Sequence, residues 1–346
     1  MIQTTVSNSI KRISPSVGHF STSVIRQLQK PRHLISMLEL TNDEVAALVK
    51  RAGEFKAQVR SGDPVPAEQH GKLLGKLVAL LFLKRSTRTR ISTEGAAAYF
   101  GAQPMFLGKD DIQLGVNESY YDTTRVISSM TSCVFARVNS HNDIQELCAH
   151  SSVPIINSLC DRFHPLQAIA DLLTIKETFG ETKGLKLAWI GDANNVINDL
   201  AIAALRSGIS VSVSIPADIQ FDQEIAEFAS KLASEQGATF EVVNEPLAAL
   251  KDANIVVTDT WISMGEEAQK EAKLKQFAGY QIDKQMLSGG KVAENWKFMH
   301  CLPRHAEEVA DDVFYDEQRS LVFEEAENRL YAAMAVIDGF VVKKGN

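Results

Sequence analysis

The sequence lacks any long apolar run and any excess of basic charge. The apolar stretch at residues 77–83 is flanked closely by Lys76 and Lys84, so it falls far short of the roughly 20 residues that cross a bilayer. The formal net charge is −7, which gives no basic surface for a polyanion. We therefore expect neither a membrane nor a nucleic acid as a partner.

Closely spaced cysteines are also absent. The four cysteines, at 133, 148, 160 and 301, are far apart in the sequence and form no Cys-x-x-Cys pair. Neither a zinc site nor a disulfide framework is indicated, and a reducing compartment fits this usage best. Cys133 and Cys148 are most simply small core residues, whereas Cys301 stands in a polar sequence context.

Acidic residues are missing from the N-terminal segment. The first one is Glu39, whereas five basic residues precede it among many serines and threonines. This composition is typical of a mitochondrial transit peptide, and the scattered apolar residues do not form the core of a secretory signal. We expect residues 1–30 to direct import into the mitochondrial matrix, with cleavage before about Pro31. A disordered tail is the alternative.

Short apolar runs alternate with helical patterns after residue 38. Such alternation predicts an α/β fold of parallel sheets covered by helices. Residues 179–184, which are polar and contain two glycines, are the best candidate for a junction between two doubly wound domains with the active site in the cleft between them. The predicted strands are 77–83, 134–138, 153–156, 185–190, 211–215 and 255–257, with a further strand ending at Met299.

Polar residues follow five of the predicted strands. Ligands of open α/β sheets bind beyond the carboxyl ends of the strands, so five such ends predict one site between the lobes. The polar segments are 84–89, 157–165, 191–195, 258–265 and 300–303.

The sequence Ser-Thr-Arg-Thr at residues 86–89 joins a buried strand to a helical pattern that starts at Ile91. Amides and hydroxyls at a helix N-terminus favour an anion, and the Arg88 guanidinium matches two phosphate oxygens. Lys84 and Arg90 add positive potential. The alternative is an ordinary Ser/Thr helix cap with solvated arginines.

The segment at residues 191–195 has only the first glycine of Gly-x-Gly-x-x-Gly, and Ala193 replaces the second. This substitution blocks the backbone approach to a pyrophosphate, so a nicotinamide cofactor is not indicated. Asn194 and Asn195 either present amides to a substrate or cap the helical pattern that begins near Asp199.

Asp259 and His164 each allow two interpretations. Asp259 at a strand end is placed to bind a substrate ammonium, with a structural ion pair as the alternative. His164 precedes Pro165, which starts a helix, so it is either a neighbour of the cap or a donor facing the cleft. Alone, His300 and Cys301 would be assigned to the core.

Together these motifs resemble the transcarbamylase family over nearly the whole chain after residue 30, and within it the fungal mitochondrial ornithine type. Residues 86–89 are similar to the motif for carbamoyl phosphate, and His-Pro-Leu-Gln at 164–167 to a second substrate-facing motif. Asp259 with Ser-Met-Gly at 263–265, and His-Cys-Leu-Pro at 300–303, are similar to the ornithine-type motifs. Residues 157–159 and Ala193 depart from members with Gly there.

The resemblance implies roles for individual residues. Residues 31–180, completed by a C-terminal helix at 325–346, would form the carbamoyl-phosphate domain, and residues 181–324 the ornithine domain. Cys301, Arg137 and His164 would be catalytic. Carbamoyl phosphate would be held by Ser86, Thr87, Arg88, Thr89, Arg137, His164, Gln167, Cys301, Leu302 and Arg329, and ornithine by Asn195, Asp259, Ser263 and Met264.

The same resemblance implies carbamoyl transfer to the δ-amine of ornithine, without a metal or organic cofactor. It also implies a homotrimer with active sites between subunits and residues 115–119 near the interface. Aspartate and putrescine are alternative acceptors. A catalytically idle relative that binds ornithine and regulates a partner such as arginase is the alternative from another class.

Overall fold

The computed structural model describes residues 30–115, 117–262 and 270–343. The predicted transit peptide therefore lies outside the described residues except for Lys30, as do Ser263 and Met264 of the predicted acceptor loop. Among the described helices, none is both long and apolar enough to span a bilayer.

The first sheet has four parallel strands in the order β2-β1-β3-β4. These strands are β1 (Leu77–Phe82), β2 (Gln103–Gly108), β3 (Cys133–Arg137) and β4 (Ile155–Leu159). The helices of this part are α1 (Asn42–Arg60), α2 (Ala67–His70), α3 (Arg88–Tyr99), α4 (Tyr120–Met130), α5 (His141–His150) and α6 (Pro165–Phe179).

The second sheet has five parallel strands in the order β7-β6-β5-β8-β9. These are β5 (Lys186–Ile190), β6 (Ser210–Ser214), β7 (Phe240–Val243), β8 (Ile255–Thr258) and β9 (Lys297–His300). The helices are α7 (Asn195–Arg206), α8 (Gln223–Gln236), α9 (Pro246–Leu250), α10 (Lys270–Gln276), α11 (Lys284–Gly290), α12 (Asp311–Phe314) and α13 (Val322–Val336), which continues into a π-helical segment, Ile337–Val342. The two parallel sheets confirm the predicted α/β fold class.

Each predicted strand is present, but β2 and β7 were missed. Both are edge strands, and neither is buried along its length as β1 is. β2 also contains Pro104, which an edge strand tolerates because one side of its backbone needs no partner. The continuous apolar signal is produced by burial on both faces, so it marks the strands that are buried along their length, including the edge strands β4 and β9, and misses β2 and β7.

The last helix returns to the first sheet. α13 packs against α1, α3 and α6, and it begins at Val322 instead of at the predicted residue 325. In both sheets the strand order reverses beside a central strand, between β1 and β3 and between β5 and β8. Three of these four strands, β1, β5 and β8, are followed by predicted polar segments, and the other two segments follow β4 and β9. The carboxyl ends of the strands are where an open α/β sheet binds its ligands.

Candidate active site

The turn at residues 86–89 leads from β1 into α3. Ser86 Oγ accepts a hydrogen bond from the Thr89 backbone N–H over 3.2 Å, so the capping interpretation holds for Ser86. Arg90 points to other partners: its Nε is 2.9 Å from Glu94 Oε1, and its guanidinium lies 3.8 Å from the centroid of the Phe106 ring. The expected positive contribution of Arg90 is therefore largely offset by an ion pair.

Three guanidinium groups, from Arg88, Arg137 and Arg329, form what we term the arginine cluster. Burial lowers the pKa of Arg137 to about 10, and the positive charges of Arg329 and Arg88 add to this effect. Burial likewise lowers the pKa of Arg329 to about 10, with Arg88 contributing. Within the described part of the chain, Nε of Arg137 and of Arg329 has no acceptor. Buried, mutually repelling cations with unused donors are suited to a multiply charged anion.

His164 is buried at the start of α6, directly before Pro165. Its backbone N–H donates to Asp199 Oδ2 over 2.8 Å, which fixes the residue at the junction of α6 and α7. Burial, together with the arginine cluster, holds the pKa of His164 well below its usual range. Its Nδ1 has no partner among the described residues. A neutral imidazole with a free nitrogen can hydrogen bond to an uncharged substrate group.

Gln167 connects the arginine cluster to two buried acids. Arg329 Nη1 donates to Gln167 Oε1 over 2.5 Å, and Arg329 Nη2 donates to Thr89 Oγ1 over 3.2 Å. The amide nitrogen Nε2 of Gln167 donates to Asp171 Oδ1 over 2.8 Å and to Glu325 Oε1 over 2.9 Å. Because an arginine can only donate, this contact fixes the direction of the Gln167 amide.

Asp259 follows β8 and faces two donors. Cys301 Sγ–H donates to Asp259 Oδ1 over 3.0 Å, and Asn194 Nδ2 donates to Oδ2 over 2.9 Å. Burial raises the pKa of Asp259. Burial and then the Asp259 charge raise the pKa of Cys301 well above its usual value, so the sulfur is a thiol at neutral pH. This arrangement makes Cys301 a donor and argues against the base role that its ordinary pKa allows.

The two asparagines of the 191–195 segment have different tasks. Asn194 Oδ1 caps α7 by accepting from the N–H groups of Val196 and Ile197, while its amide nitrogen binds Asp259. The side chain of Asn194 therefore caps the helix with its oxygen and faces the site with its amide nitrogen. Asn195 Nδ2 donates to the carbonyl of Cys160 over 2.6 Å, which anchors the beginning of α7 to the loop after β4.

The segment after β9 brings a carbonyl to the arginine cluster. Arg88 Nη2 donates to Leu302 O over 2.5 Å, and Leu302 adopts a φ of +63°. His300 supports this turn: its Nδ1 accepts from the Leu302 N–H over 2.9 Å, and its Nε2 lies 3.3 Å from Glu308 Oε2. His300 is fully buried, in agreement with the core interpretation.

The structure thus brings residues from five strand ends into one region. The arginine cluster meets Cys301 and Leu302, and Asp259 lies on the other side of the Cys301 thiol. Sequence reasoning missed four buried carboxyl residues that support this arrangement: Asp171, Asp199, Glu308 and Glu325. An acid inside the apolar helical run from Leu166 to Ile175 was the available signal for Asp171.

Sequence comparison identifies two domains along the chain. Residues 32–177 match the aspartate/ornithine carbamoyltransferase carbamoyl-P binding domain, and residues 183–339 match the Asp/Orn binding domain of the same family. The two matches together span most of the sequence.

Named relatives agree with these matches. The chain is 65% identical to the mitochondrial ornithine transcarbamylase of Pachysolen tannophilus over 94% of each chain. It is 62% identical to the ornithine carbamoyltransferase of Saccharomyces cerevisiae over 91% of this chain and 95% of that one. The crystal structure of a mitochondrial ornithine carbamoyltransferase from Coccidioides immitis superposes with a TM-score of 0.85 and 52% identity, covering 92% of this chain and 99% of that chain.

Proposed function

Because the chain belongs to the aspartate/ornithine carbamoyltransferase family, we propose that it transfers the carbamoyl group of carbamoyl phosphate to the δ-amine of L-ornithine. The products are L-citrulline and phosphate, and the reaction belongs to arginine biosynthesis. The observation that carries this proposal is the contact of the Cys301 segment with an anion-binding arginine cluster on one side and with Asp259 on the other. One site therefore offers places for a phosphate donor and for an ammonium-bearing acceptor.

The donor site lies around the 86–89 turn. Arg88, Arg137 and Arg329 supply charge, and the N-terminus of α3 supplies backbone donors. The full set that we assign to carbamoyl phosphate is Ser86, Thr87, Arg88, Thr89, Arg137, His164, Gln167, Cys301, Leu302 and Arg329. Both hydrogen atoms of the Gln167 amide are directed at Asp171 and Glu325, so its oxygen is the atom that can accept from the carbamoyl NH₂.

The acceptor site lies around Asp259. A carboxylate that is buried and holds only neutral donors can exchange one of them for the α-ammonium of ornithine. We assign ornithine binding to Asn195, Asp259, Ser263 and Met264, the last two in the loop outside the described residues. An aspartate acceptor would bring its second carboxylate towards Asp259 and be repelled. Putrescine would leave Asp259 without an α-ammonium to bind.

The chemistry needs a neutral amine and a stabilised oxyanion. The δ-nitrogen attacks the carbamoyl carbon and forms the new C–N bond. The bond from carbon to the phosphate oxygen then breaks, and the departing phosphate carries away the electron pair of that bond and the proton that the nitrogen loses. Arg88, Arg137 and His164 are the donors available to the developing oxyanion. His164 is suited to this role as a neutral donor, because burial and then the cations around it hold its pKa well below the usual range and keep it unprotonated.

Assembly and localisation follow from the same proposal. The relatives from Pachysolen tannophilus and Coccidioides immitis are named mitochondrial, whereas the name of the Saccharomyces cerevisiae relative gives no compartment. We propose that this chain is mitochondrial, and specifically that it lies in the matrix. We also propose a homotrimer with active sites between subunits. Exposed apolar side chains of Ile91, Met105, Tyr121, Val126 and Met130, all between residues 88 and 130, are consistent with a covered surface there. An arginase is a candidate regulatory partner.

The test is citrulline formation. Purified protein mixed with carbamoyl phosphate and ornithine is expected to release citrulline and phosphate in equal amounts. A protein that binds ornithine without releasing either product would instead support the catalytically idle alternative.

A further inference from the structure

Two buried carboxyl groups, from Asp171 on α6 and Glu325 on α13, lie behind the proposed donor site. Both residues are almost completely inaccessible, with exposed fractions of 2% and 1%. They share one neighbour, because Gln167 Nε2 is 2.8 Å from Asp171 Oδ1 and 2.9 Å from Glu325 Oε1. Two ionised carboxylates that both contact the same nitrogen atom would repel each other strongly, so a single proton held between them is the stable arrangement. We term these two residues the carboxyl pair.

The carboxyl pair completes a ring that consists of hydrogen bonds and two short chain segments, residues 88–89 and 300–302. From Gln167 the ring passes through Arg329 to Thr89 at the start of α3. In the other direction, Glu325 Oε2 accepts from the His300 backbone N–H over 2.9 Å and so reaches the end of β9. Arg88 closes the ring by donating to the Leu302 carbonyl. The start of α3 and the segment after β9, which both contribute to the proposed donor site, are therefore connected through the pair.

We infer that the carboxyl pair is a positioning element that retains one proton, orients Gln167 and Arg329, and keeps the net charge of the donor site positive. This inference rests on the proposed function. With one proton on the pair, the three positive charges of the arginine cluster face two negative charges, one from Asp259 and one from the pair. A net positive charge therefore remains to bind a phosphate. Loss of that proton would place three carboxylates against three guanidinium groups and remove the excess.

The surroundings of the pair support this protonation state. Burial raises the pKa of Asp171 to about 7, against the effect of hydrogen bonds from Gln167 and Glu325 and the charge of Arg329. Burial, and then the charge of Asp171, raise the pKa of Glu325 well above its usual value. The other groups facing the pair are the backbone N–H of His300, the carboxyl group of Asp259 and the thiol of Cys301. Burial and mutual repulsion therefore keep one proton on the pair near neutral pH.

The test measures phosphate binding, so it does not require turnover. Inorganic phosphate would be titrated into the wild-type protein by calorimetry from about pH 7 to about pH 9, in buffers of different ionisation enthalpy so that proton uptake is counted. The variants are Glu325→Gln and Asp171→Asn, each of which leaves one carboxyl group. The matched control is Glu177→Gln, because Glu177 also lies on α6 and binds Asn328 of α13 but does not contact Gln167 or Arg329.

The wild type and the control are expected to lose affinity for phosphate towards pH 9, on the order of tenfold, and to take up a proton on binding. In both single variants, the affinity for phosphate is expected to fall less between about pH 7 and about pH 9, and fewer protons should be taken up on binding. The reason is that only one carboxyl group remains, so no second carboxyl group can lose a proton at alkaline pH. A merely structural role would not make two different isosteric variants change the pH profile in the same way.

Two results would overturn the inference, and they are distinguishable. If the wild type binds phosphate but its pH profile and proton uptake match those of both variants, the pair does not hold the proton and the donor site stands without it. If the wild type binds no phosphate at any pH, the donor site of the proposed function fails and the role of the pair fails with it.

Discussion

The thiol of Cys301 donates a hydrogen bond to Asp259 over 3.0 Å, and the same segment presents the Leu302 carbonyl to Arg88. A single turn after β9 thus touches both the anion-binding and the cation-binding side of the site. The carboxylate of Asp259 raises the pKa of the thiol further above the value that burial alone would give. The sulfur acts as a donor that an incoming ammonium can replace.

Replacement of Cys301 tests this contact. Cys301→Ser is expected to lower kcat more than it raises the KM for carbamoyl phosphate. The C–O bond of serine is shorter than the C–S bond of cysteine, so the hydroxyl changes the distances to Asp259 and to the reacting atoms. The reduction should not exceed the roughly 10²–10³ that follows loss of a stabilising donor. Steady-state kinetics with each substrate varied would show it, with Cys148→Ser as the control. An unchanged kcat would remove Cys301 from the chemistry.

Arg88 and Arg90 form a matched pair for the donor site. Arg88→Ala is expected to abolish saturation with carbamoyl phosphate in the accessible range, because it removes both a cation of the arginine cluster and the contact with Leu302. Arg90→Ala should change the KM only slightly, since that guanidinium is paired with Glu94. Initial rates at varied carbamoyl phosphate distinguish the two. Normal saturation of the Arg88 variant would contradict the assignment.

The fold was predictable because central parallel strands are buried on both faces and read as continuous apolar runs. The edge strands β2 and β7 lack that signal, and their pairing depends on neighbours that are remote in sequence. The polar strand ends indicated one site for a different reason, because parallel topology brings the carboxyl ends of the strands to one edge of a sheet. The contact between Cys301 and Asp259, 42 positions apart, had no local signal.

The pH dependence of the rate tests the state of His164. The neutral fraction of an amine with a pKa of about 10.4 rises tenfold per pH unit below that value. At saturating carbamoyl phosphate, kcat/KM for ornithine should therefore rise with pH in that proportion. His164 should add no inflection above about pH 6.5, because its pKa lies well below the ordinary value and it stays neutral throughout. Rates measured from about pH 6.5 to about pH 9 provide the comparison. An inflection near neutrality that disappears in His164→Gln would contradict this account.

Asp199 provides a prediction about stability. It accepts from the Met37 N–H over 2.6 Å and from the His164 N–H over 2.8 Å, so it ties the N-terminal segment to the site. Asp199→Ala leaves two buried donors unsatisfied and should cost about 1–3 kcal/mol for each. Urea unfolding at a fixed protein concentration measures the change, with the exposed Glu294→Ala as the control. A loss no larger than that of the control would exclude this anchoring role.

Buried carboxyl groups were the part of the site that sequence reasoning did not find. Asp199 lies in a helix whose other residues are mostly apolar, and Glu325 is one of several acids near the start of α13. Their partners are backbone N–H groups and a glutamine contributed by other elements. A pattern along one helix shows that such an acid is unusual, but only the packed structure shows what it holds.

The most direct measurement of the central claim compares acceptors at a fixed concentration of carbamoyl phosphate. Ornithine, aspartate and putrescine would be tested separately, with both the carbamoylated product and phosphate quantified. The account predicts that ornithine is converted to citrulline, with one phosphate released for each citrulline formed. Aspartate and putrescine are expected to react at least roughly 10²-fold less efficiently. The second carboxylate of aspartate is repelled by the buried charge of Asp259, and putrescine has no α-ammonium to bind that charge. Preferential carbamoylation of aspartate or putrescine, or phosphate release without citrulline, would contradict it.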